Sequence, residues 1–344
     1  MRIAIVTDAW HPQVNGVVTT LSWTAKTLRE FGHEVEVLGP EGYTTFPLPS
    51  YPEIRLAWRP YRRLSGMIEE FAPDCIHIAT EGSLGMAARR YCRRKRLAFT
   101  TSYHTQFPQY IRKRVPIPIN TSYAFLRRFH AAATCTFVAT QSQQEELEAH
   151  GFRNIVRWGR GVDTETFRPG DKSFLDHPRP IWIYTGRIAA EKGLEDFLEL
   201  ELPGTKLLVG DGPDRKELER GWPDASFVGY KFGKELAAYM AAADVFVFPS
   251  RTDTFGLVMI EAMACGLPVA AYPVTGPINV VENGVTGVLD EDLGTAAMAA
   301  LKLDPSLCVA HARNLSWPSA TRQFERNLAP VNETVDAVLL GESK

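Results

Sequence analysis

Short apolar runs alternate with longer amphipathic segments along both halves of the chain. This alternation is typical of a parallel β-sheet flanked by helices. In the first half the pattern predicts strands at residues 3–6, 35–38, 75–78, 98–102 and 136–139. It predicts helices at residues 17–31, 62–71, 84–94, 123–132 and 143–150.

The second half restarts the pattern after residues 159–180, a stretch that is rich in glycine and proline. Strands are predicted at 181–184, 206–209, 226–228, 245–248 and 269–271, and helices at 193–200, 214–219, 234–242 and, with a break, 320–340. We therefore predict an α/β fold of two doubly wound domains that face each other across a cleft. The predicted segments are an N-terminal domain at 1–168, a C-terminal domain at 169–320 and a terminal helix at 321–344 that packs back on the N-terminal domain.

The composition fits this fold class. With 344 residues, 45% of them hydrophobic and 23% charged, the chain has room for two soluble globular domains. No apolar run approaches the roughly 18 to 20 residues of a membrane span, and Asp8 interrupts the N-terminal run too early for a signal peptide. The five cysteines are scattered and not spaced for zinc. We expect them to be reduced, in a cytoplasmic protein.

The segment SRTDTFGLVMIEAMACGLPV, residues 250–269, places Glu261 in an otherwise apolar run. A carboxylate there is costly unless it meets a polar partner. We predict that Asp253 or Thr254 caps a helix that runs to about Cys265. The start of such a helix presents unpaired N–H groups that suit a phosphate. Glu261 would lie about 12 Å further along the axis, which is close to the reach from a diphosphate to a nucleoside ribose.

This segment resembles the E-x7-E region of the retaining nucleotide-sugar glycosyltransferases of family GT4, which have the GT-B fold of two facing Rossmann-like domains. The resemblance covers most of the chain and is nearest to the mannosyl- and diacylglycerol glycosyltransferase branch. It implies that Glu261 binds the donor ribose and that Asp253 contacts the transferred sugar, although the family has the longer Glu at that position. It also implies donor contacts for the neighbouring backbone of Thr254, Phe255, Gly256 and Leu257.

Two cations, Arg187 and Lys192, lie in the loop before the predicted helix start near Gly193. Cations beside a helix start suit a departing diphosphate, because they neutralise the charge that grows on it. A solvated basic loop is the alternative interpretation. The resemblance implies that both side chains bind the donor diphosphate.

Four further residues of the second half are candidate donor contacts. Gly210 and Gly212 belong to a strand–turn–helix junction, and by themselves they are ordinary turn glycines. The resemblance implies that their loop lies near the nucleotide. It also implies that Gly229 and Tyr230 contact the base.

In the first half, Asn15 and Gly16 connect the first strand to its helix. A glycine there would let the backbone approach the donor phosphates and sugar, as the resembled family's N-terminal glycine loop does. A plain turn is the alternative interpretation.

His104 follows the predicted strand at 98–102, on the side where ligands of such sheets bind. A lone histidine is more often structural, but the family commonly has one there that hydrogen-bonds the donor sugar, which implies a catalytic role. Its neighbours Tyr103, Thr105 and Gln106 are candidates to contact the acceptor. Glu81, after the strand at 75–78, is another.

The charge is unevenly distributed. Residues 1–170 hold 22 Lys and Arg against 15 Asp and Glu, and the remainder holds 16 against 25. The basic runs of the first half are Arg89 to Arg96, Arg112 to Arg114, and Arg127 with Arg128. Solvated helix faces are the simplest interpretation. With apolar neighbours such as Tyr123 and Phe125, the runs also fit an anionic membrane surface, to which lipid-modifying members of the resembled family dock. The pI of 6.5 and the lack of a nucleic-acid-binding motif argue against nucleic acid.

The resemblance implies a retaining, metal-independent transferase without a cofactor. It would move a hexose from GDP-mannose, UDP-glucose or UDP-glucuronate to a lipid such as diacylglycerol or to a lipid-linked glycan, at the inner face of the cell membrane. A soluble or polysaccharide acceptor stays open, as does a non-catalytic nucleotide-sugar binder. A glycosidase is disfavoured, because about 12 Å between Asp253 and Glu261 exceeds the roughly 5 to 9.5 Å that two-carboxylate hydrolysis needs.

Overall fold

The computed structural model describes residues 1–13, 15–48, 51–104, 118–253 and 255–333, and the chain divides into two compact units. The first unit comprises Met1–Gly159 and Trp317–Lys344, and the second comprises Arg160–Ser316. The boundaries differ from those we predicted. Residues 160–168, which we assigned to the N-terminal domain, belong to the second unit, and the terminal helix begins at Trp317 rather than near 320.

The first unit is built on a parallel six-stranded sheet in the order β2-β1-β5-β6-β7-β8, with a separate antiparallel hairpin of β3 and β4. Its strands are β1 (Arg2–Val6), β2 (Glu34–Leu38), β3 (Thr45–Leu48), β4 (Tyr51–Ala57), β5 (Cys75–Ile78), β6 (Thr100–Ser102), β7 (Thr136–Val138) and β8 (Ile155–Arg157). Its described helices are α1 (Gly16–Glu30), α2 (Tyr61–Phe71), α3 (Ser83–Lys95), α4 (Ile119–His130), α5 (Gln141–Ala149) and the terminal helix α13 (Trp317–Arg326).

The second unit repeats the architecture, with a parallel six-stranded sheet in the order β11-β10-β9-β12-β13-β14. Its strands are β9 (Ile181–Thr185), β10 (Thr205–Val209), β11 (Ser226–Phe227), β12 (Val245–Phe248), β13 (Val269–Ala271) and β14 (Gly287–Leu289). Its described helices are α6 (Leu194–Leu198), α7 (Arg215–Gly221), α8 (Gly233–Ala242), α9 (Leu257–Ala264), α10 (Pro277–Val280), α11 (Leu293–Ala300) and α12 (Pro305–Arg313), with short 3-10 turns at Lys172–Phe174 and Ala190–Lys192.

Strand β9 of the second sheet is apolar throughout because both of its faces are covered. In β9, Ile181 and Ile183 belong to one hydrophobic core of the second unit, whereas Trp182 and Tyr184 belong to another. Successive strand residues point to opposite faces, so one strand supplies two cores. This is why a continuous apolar run, rather than an alternating one, predicts these strands.

The terminal helix α13 is an integral part of the first unit. The Trp317 ring stacks on Trp23 of α1, with ring centroids 6.0 Å apart and planes within 4°. Further along, the Phe324 ring meets the buried His77 edge-on at 4.8 Å. His77 in turn contacts Thr100 and Ser102 through its two ring nitrogens, and burial lowers its pKa to about 3. The helix therefore closes one face of the first sheet.

Within the described ranges, no single helix is long and apolar enough to cross a membrane. The pair α11 and α12 passes that test only when taken together, with a bend of 95° between them. Both helices contribute side chains to the cores of the second unit.

Candidate functional site

An ion pair joins two loops of the second unit. The Lys192 ammonium lies 2.7 and 2.9 Å from the two carboxylate oxygens of Asp253, and both side chains are partly exposed. Lys192 follows β9 and Asp253 follows β12. Because these strands are adjacent and parallel, the loops at their carboxyl ends lie at the same edge of the sheet. The Thr252 hydroxyl strengthens this link by donating to the Glu191 carbonyl at 3.2 Å.

The Arg187 loop is held in place by the glycine turn after β10. Gly186 and Ile188 donate to the carbonyls of Val209 and Asp211 at 3.0 and 2.9 Å. A Cβ on Gly210 would lie 1.8 Å from the Gly186 carbonyl oxygen, and one on Gly212 would lie 2.1 Å from that of Ile188. Both glycines are thus required for close backbone packing. Their observed contacts position the loop that carries Arg187.

Arg187 itself is anchored through its backbone and faces an acidic neighbour. Its carbonyl accepts a hydrogen bond from the buried Tyr184 hydroxyl at 2.9 Å. Its guanidinium lies 3.7 Å from the Glu191 carboxylate, and about a third of the side chain stays exposed. The cation is therefore held at the surface of the same loop that presents Lys192.

The helix of the segment at 250–269 begins later than we predicted. Gly256, and not Asp253, occupies its N-cap position. Its first residue is Leu257, preceded by Gly256 in the left-handed conformation at φ 80° and ψ 68°. Asp253 is instead engaged by Lys192, and Thr254 lies outside the described residues. The cap prediction was wrong because a glycine, which tolerates positive φ, makes the turn into the helix.

The start of α9 leaves backbone donors available. Among the described residues, no hydrogen-bond acceptor contacts the N–H groups of Phe255, Gly256 or Leu257, and no side chain caps the helix. Close backbone packing supports this turn, since a Cβ on Gly276 would lie 2.8 Å from the Asp253 carbonyl oxygen. Unpaired N–H groups at a helix start form a site for an anion.

Glu261 lies on the second turn of α9 and is partly exposed. Burial raises the pKa of its carboxyl to about 8, and the Asp163 carboxylate adds to the shift. Asp163 is fixed by the N–H groups of Glu165 and Thr166, at 3.1 and 3.3 Å. Within the described part of the chain, no hydrogen-bond donor contacts the Glu261 side chain, so its carboxyl group is available to a ligand.

The separation of Asp253 and Glu261 must also be corrected. The figure of about 12 Å assumed one continuous helix at 1.5 Å per residue, but the helix begins only at Leu257, after the left-handed Gly256. Asp253 also forms an ion pair with a lysine, which keeps its carboxylate ionised and does not suit a general-acid role. The distance argument against a glycosidase therefore no longer holds, and the ion pair is what counts against Asp253 as the acid of such an enzyme.

Gly229 and Tyr230 lie beside the Arg187 loop. Gly229 has φ 74° and forms an isolated bridge with Gly210. The Tyr230 ring is 41% exposed and stacks on Phe232, with centroids 5.7 Å apart. Burial raises the pKa of the Tyr230 hydroxyl, while the charge of Arg187 acts in the opposite direction. The aromatic pair is thus next to the basic loop and open to solvent, and sequence reasoning missed Phe232.

In the first unit, Asn15 is the N-cap of α1. Its side-chain oxygen accepts from the N–H groups of Val17 and Val18, both at 3.0 Å, and Gly16 is the first helical residue. These two N–H groups are therefore already satisfied by the protein. Whether Asn15 and Gly16 contact a donor stays a prediction.

Two of the residues predicted to contact the acceptor, Glu81 and Tyr103, interact with other side chains of the first unit. The Glu81 carboxylate accepts a hydrogen bond from Nε2 of the buried His130 at 3.1 Å, and Nδ1 of His130 lies 2.9 Å from the Thr101 hydroxyl. Tyr103 is 1% exposed and packs in a core with Tyr123. The side chain is enclosed by its own unit, and its predicted contact with an acceptor stays a prediction. Thr105 and Gln106 lie outside the described residues.

His104 directly follows Tyr103 and is partly buried. Its ring meets that of Trp158 at 5.8 Å in an edge-on arrangement. The contact fixes the ring against a fully buried side chain, as a positioned histidine requires. Its predicted role at the donor sugar stays a prediction.

Asp8 is a buried polar residue that we did not predict as important. Its carboxylate accepts from the hydroxyls of Thr80 and Ser83 at 2.9 and 3.0 Å and from the N–H groups of Leu84 and Gly85 at 2.9 and 3.3 Å. Burial raises its pKa despite these bonds. Asp8 follows β1, and the residues that it binds follow the adjacent β5. The signal was an acid at the end of a buried strand.

Some arginines of the predicted basic runs form hydrogen bonds within the first unit. Arg89 donates to the carbonyls of Phe129 and Arg128 at 2.9 and 2.8 Å, and Arg127 donates to His150 at 2.8 Å. Tyr123 is buried, which corrects its placement on a surface, whereas Phe125 is exposed. The run from Arg112 to Arg114 lies outside the described residues. The structure thus describes two of the three predicted basic runs. In these two runs, Arg89 and Arg127 are hydrogen-bonded to carbonyls of the first unit.

The arrangement in the second unit suits a phosphorylated ligand. Lys192, Arg187 and the free N–H groups of α9 offer positive charge and donors at one sheet edge, and a carboxyl group lies on the same helix. Such a set can bind a diphosphate and neutralise charge that develops on it. In the described ranges, no group of three or more His, Cys, Asp or Glu side chains is placed to hold a metal ion.

Two family models match the chain. Residues 14–166 match the model described as glycosyltransferase family 4, and residues 179–303 match the one described as glycosyl transferases group 1. The two matches fall on the two halves of the chain. Most of each half is therefore accounted for by one enzyme class.

Curated relatives extend the match over most of the chain. A GDP-mannose-dependent alpha-mannosyltransferase of Mycobacterium tuberculosis is 32% identical over 315 residues, which cover 84% of this chain and 83% of the relative. An alpha-monoglucosyldiacylglycerol synthase of Streptococcus pneumoniae is 25% identical over 353 residues, which cover 89% of this chain and 80% of the relative.

Solved structures show the same architecture. The sucrose-phosphate synthase of Thermosynechococcus elongatus superposes with a TM-score of 0.73 at 21% identity, covering 94% of this chain and 97% of that one. The two parallel-sheet Rossmann-like units are those of the GT-B fold, as we predicted. With two matching family models and a 32% identical relative, the chain belongs to glycosyltransferase family 4.

Proposed function

We propose that the protein is a retaining glycosyltransferase that transfers a hexose from a nucleotide-diphosphate sugar to a lipid acceptor hydroxyl. One observation carries the donor half of this proposal. The Lys192–Asp253 pair joins the basic loop after β9 to the loop that leads into α9, where N–H groups are free. A nucleotide sugar brings a diphosphate that needs such donors.

In this proposal each part of the second-unit site has a role. Arg187, Lys192 and the N–H groups of Phe255 to Leu257 hold the diphosphate and stabilise it as it leaves. Glu261 accepts hydrogen bonds from the ribose hydroxyls, since its carboxyl group has no donor partner among the described residues. Asp253 keeps Lys192 in place and takes the contact to the transferred sugar that the family gives to a longer Glu.

The reaction that we propose keeps the configuration of the anomeric carbon. The bond from the anomeric carbon to the diphosphate oxygen breaks, and the acceptor oxygen forms the new bond on the same face. The departing diphosphate takes the proton of the acceptor hydroxyl. No metal or cofactor takes part in this scheme, so full activity in the presence of a chelator is expected.

The relatives guide the choice of donor and acceptor. The Mycobacterium relative is named for GDP-mannose and the Streptococcus relative for a diacylglycerol product. We therefore put GDP-mannose and diacylglycerol first, with UDP-glucose and UDP-glucuronate as further donors and lipid-linked glycans as further acceptors. A lipid acceptor also places the enzyme at the inner face of the cell membrane.

A donor panel followed by product analysis tests the proposal. One nucleotide among UDP, GDP and ADP should raise the melting temperature most, since ligand at about 100 times its dissociation constant stabilises by about 2.7 kcal/mol. Its hexose conjugate is then incubated with lipid in detergent micelles, and NMR of the product gives the anomeric configuration. An inverted anomer contradicts the retaining mechanism.

The remaining outcomes separate the alternatives. Transfer to a water-soluble sugar but not to lipid would favour the soluble-acceptor enzyme. Nucleotide-sugar binding with neither transfer nor hydrolysis would favour a non-catalytic binder. Arg187→Ala and Lys192→Ala variants with wild-type turnover would contradict the assigned site.

A further inference from the structure

The β3–β4 hairpin and the residues that follow it expose two large aromatic rings. Trp58 is 59% exposed and Phe46 is 41% exposed, and their rings meet edge-on with centroids 6.1 Å apart. Neither ring enters any of the hydrophobic cores of the first unit. The pair therefore forms an apolar projection that the unit itself does not cover.

Two arginines follow Trp58 closely along the chain, and one of them lies over its ring. Arg59 lies over the Trp58 ring at 5.4 Å, and Arg62 is exposed on the first turn of α2. We call Phe46, Trp58, Arg59 and Arg62 the hairpin patch. Neither arginine forms an ion pair within the part of the chain that the structure describes. The patch thus combines exposed aromatic surface with unneutralised positive charge.

The positive charge continues from the hairpin patch onto α3. The Ala57 N–H at the end of β4 donates to the Ser83 hydroxyl at the start of α3 at 2.8 Å. On α3, the exposed Arg90 and Arg94 lie over the Tyr61 ring at 4.9 and 5.5 Å. Arg90 and Arg94 also make no ion pair among the described residues. Four arginines that make no ion pair among the described residues, and two exposed rings, therefore lie on neighbouring elements of the first unit.

This combination identifies one kind of partner. Tryptophan and arginine each have an apolar body and a polar or charged tip, which favours the boundary between water and hydrocarbon. Unpaired cations next to such rings are attracted to anionic lipid headgroups, and each contributes to binding at the surface. The Arg59 guanidinium lies over the Trp58 ring, on the face that stacking on a nucleobase would need. The pair therefore suits insertion between lipids better than stacking on bases.

We propose that the hairpin patch, with Arg90 and Arg94, docks the enzyme on an anionic bilayer by inserting Trp58 and Phe46 between the headgroups. This inference deepens the proposed function by naming the element that brings the enzyme to its lipid acceptor. It keeps Arg90 and Arg94 of the predicted run 89–96 but does not use the runs at 112–114 and 127–128. The hairpin was not part of that predicted surface.

Fluorescence of the full-length protein tests the insertion. Trp58 is the exposed tryptophan of the described residues, whereas the other six are buried or partly buried. Vesicles of phosphatidylglycerol and phosphatidylcholine should shift the emission to shorter wavelength, and lipids brominated on the acyl chain should quench it. Trp58→Phe should abolish both changes. An unchanged shift in Trp58→Phe would overturn the insertion of this side chain.

Sedimentation with the same vesicles tests the charge. Since each cation near an anionic surface contributes about fivefold in binding, Arg59→Gln with Arg62→Gln should lower the partition coefficient roughly 30-fold. The matched control is Arg153→Gln with Arg157→Gln, two exposed arginines at the β8 side of the same unit, which should bind as the wild type does. Equal loss in both double variants would reduce the effect to net charge and overturn the proposal.

Two further outcomes separate this inference from the proposed function and from another partner. Vesicle binding without any sugar transfer would support the docking surface and contradict the proposed function. Transfer to lipid in micelles without vesicle binding would support the proposed function and contradict the docking surface. Binding of single-stranded RNA that competes with vesicles and is lost in the Arg59 and Arg62 variant would make the patch a nucleic-acid surface. That result would overturn the membrane proposal.

Discussion

The two units have similar sheets, but the polar residues in the loops at their strand ends make different contacts. In the second unit, Lys192, Arg187 and the N–H groups of α9 are presented at one sheet edge, and Glu261 has no donor partner among the described residues. In the first unit, the polar residues at the corresponding strand ends are bound internally. Asp8 binds the start of α3, and Glu81 binds His130.

This difference shows which polar groups are available for a ligand. A group that accepts several bonds from its own unit stabilises the fold and has little to offer a substrate. A group with a raised pKa and no hydrogen-bond donor among the described residues, such as the Glu261 carboxyl, is a better candidate for function. We therefore expect substitutions in the second-unit site to affect transfer and those at buried first-unit residues to affect stability.

Lys192→Ala should give the largest effect. Loss of one preorganised cation at a departing diphosphate lowers turnover by about 10²- to 10³-fold. Steady-state kinetics with the identified donor would measure it. Lys216→Ala, an exposed lysine on α7, is the matched control and should retain wild-type turnover.

The double variant Lys192→Ala with Asp253→Asn separates catalysis from stability. Lys192→Ala alone leaves the partly buried Asp253 carboxylate without its cation, so some stability is lost as well. The second substitution removes that charge and should restore the melting temperature but not turnover. Recovery of turnover in the double variant would contradict the direct role of Lys192.

Asp8→Ala should have the largest effect on stability. It removes an acceptor of four hydrogen bonds and leaves buried N–H groups unpaired, which costs about 3 kcal/mol in the free energy of unfolding of the first unit. Urea denaturation would measure the loss. Asp171→Ala, an exposed cap of a 3-10 turn in the second unit, should cost much less. Comparable losses in both would contradict the role given to Asp8.

The sequence predicts the central strands of both sheets to within a residue or two, because strands buried on both faces are continuous apolar runs. It does not predict the β3–β4 hairpin, where prolines at positions 47, 49 and 52 argue against a strand. It also misses β8 and β14, which are three-residue strands at sheet edges. Such short strands have no recognisable period.

The site is predictable as a set of residues but not as a set of contacts. Lys192 and Asp253 are 61 residues apart, and their pairing depends on β9 lying next to β12. The cap was misassigned because Asp and Thr are common N-caps, while the left-handed turn at Gly256 is visible only in the backbone. The burial of Tyr103 depends on α4, whose packing the local sequence does not reveal.

The pH dependence of donor binding should reveal the state of Glu261. Its folded pKa of about 8 lies above the ordinary value of 4.5, so this group reduces stability as the pH rises from about 4.5 to about 8. Ribose hydroxyls favour the ionised form. Affinity for the nucleotide sugar should therefore rise by up to about tenfold per pH unit below pH 8 and level off above it.

Calorimetry in buffers of different ionisation enthalpy would measure the accompanying proton release. Glu261→Gln should bind more weakly and lose the slope between about pH 6 and about pH 8, because the amide does not titrate. A wild-type slope in Glu261→Gln would assign the titration to another group.

Tyr103→Phe should have the smallest effect, and it tests the contrast between the units most directly. The Tyr103 hydroxyl is buried without a hydrogen-bond partner among the described residues, and burial raises its pKa well above the usual range. Removing an unpaired buried hydroxyl should leave the unit equally stable or more stable, by up to about 1 kcal/mol. Turnover and the KM for the acceptor should not change, because no acceptor can reach an enclosed ring. A raised acceptor KM with an unchanged melting temperature would show that Tyr103 becomes accessible to substrate. The polar residues at the end of β6 would then take part in binding, and the contrast drawn here between the two units would not hold there.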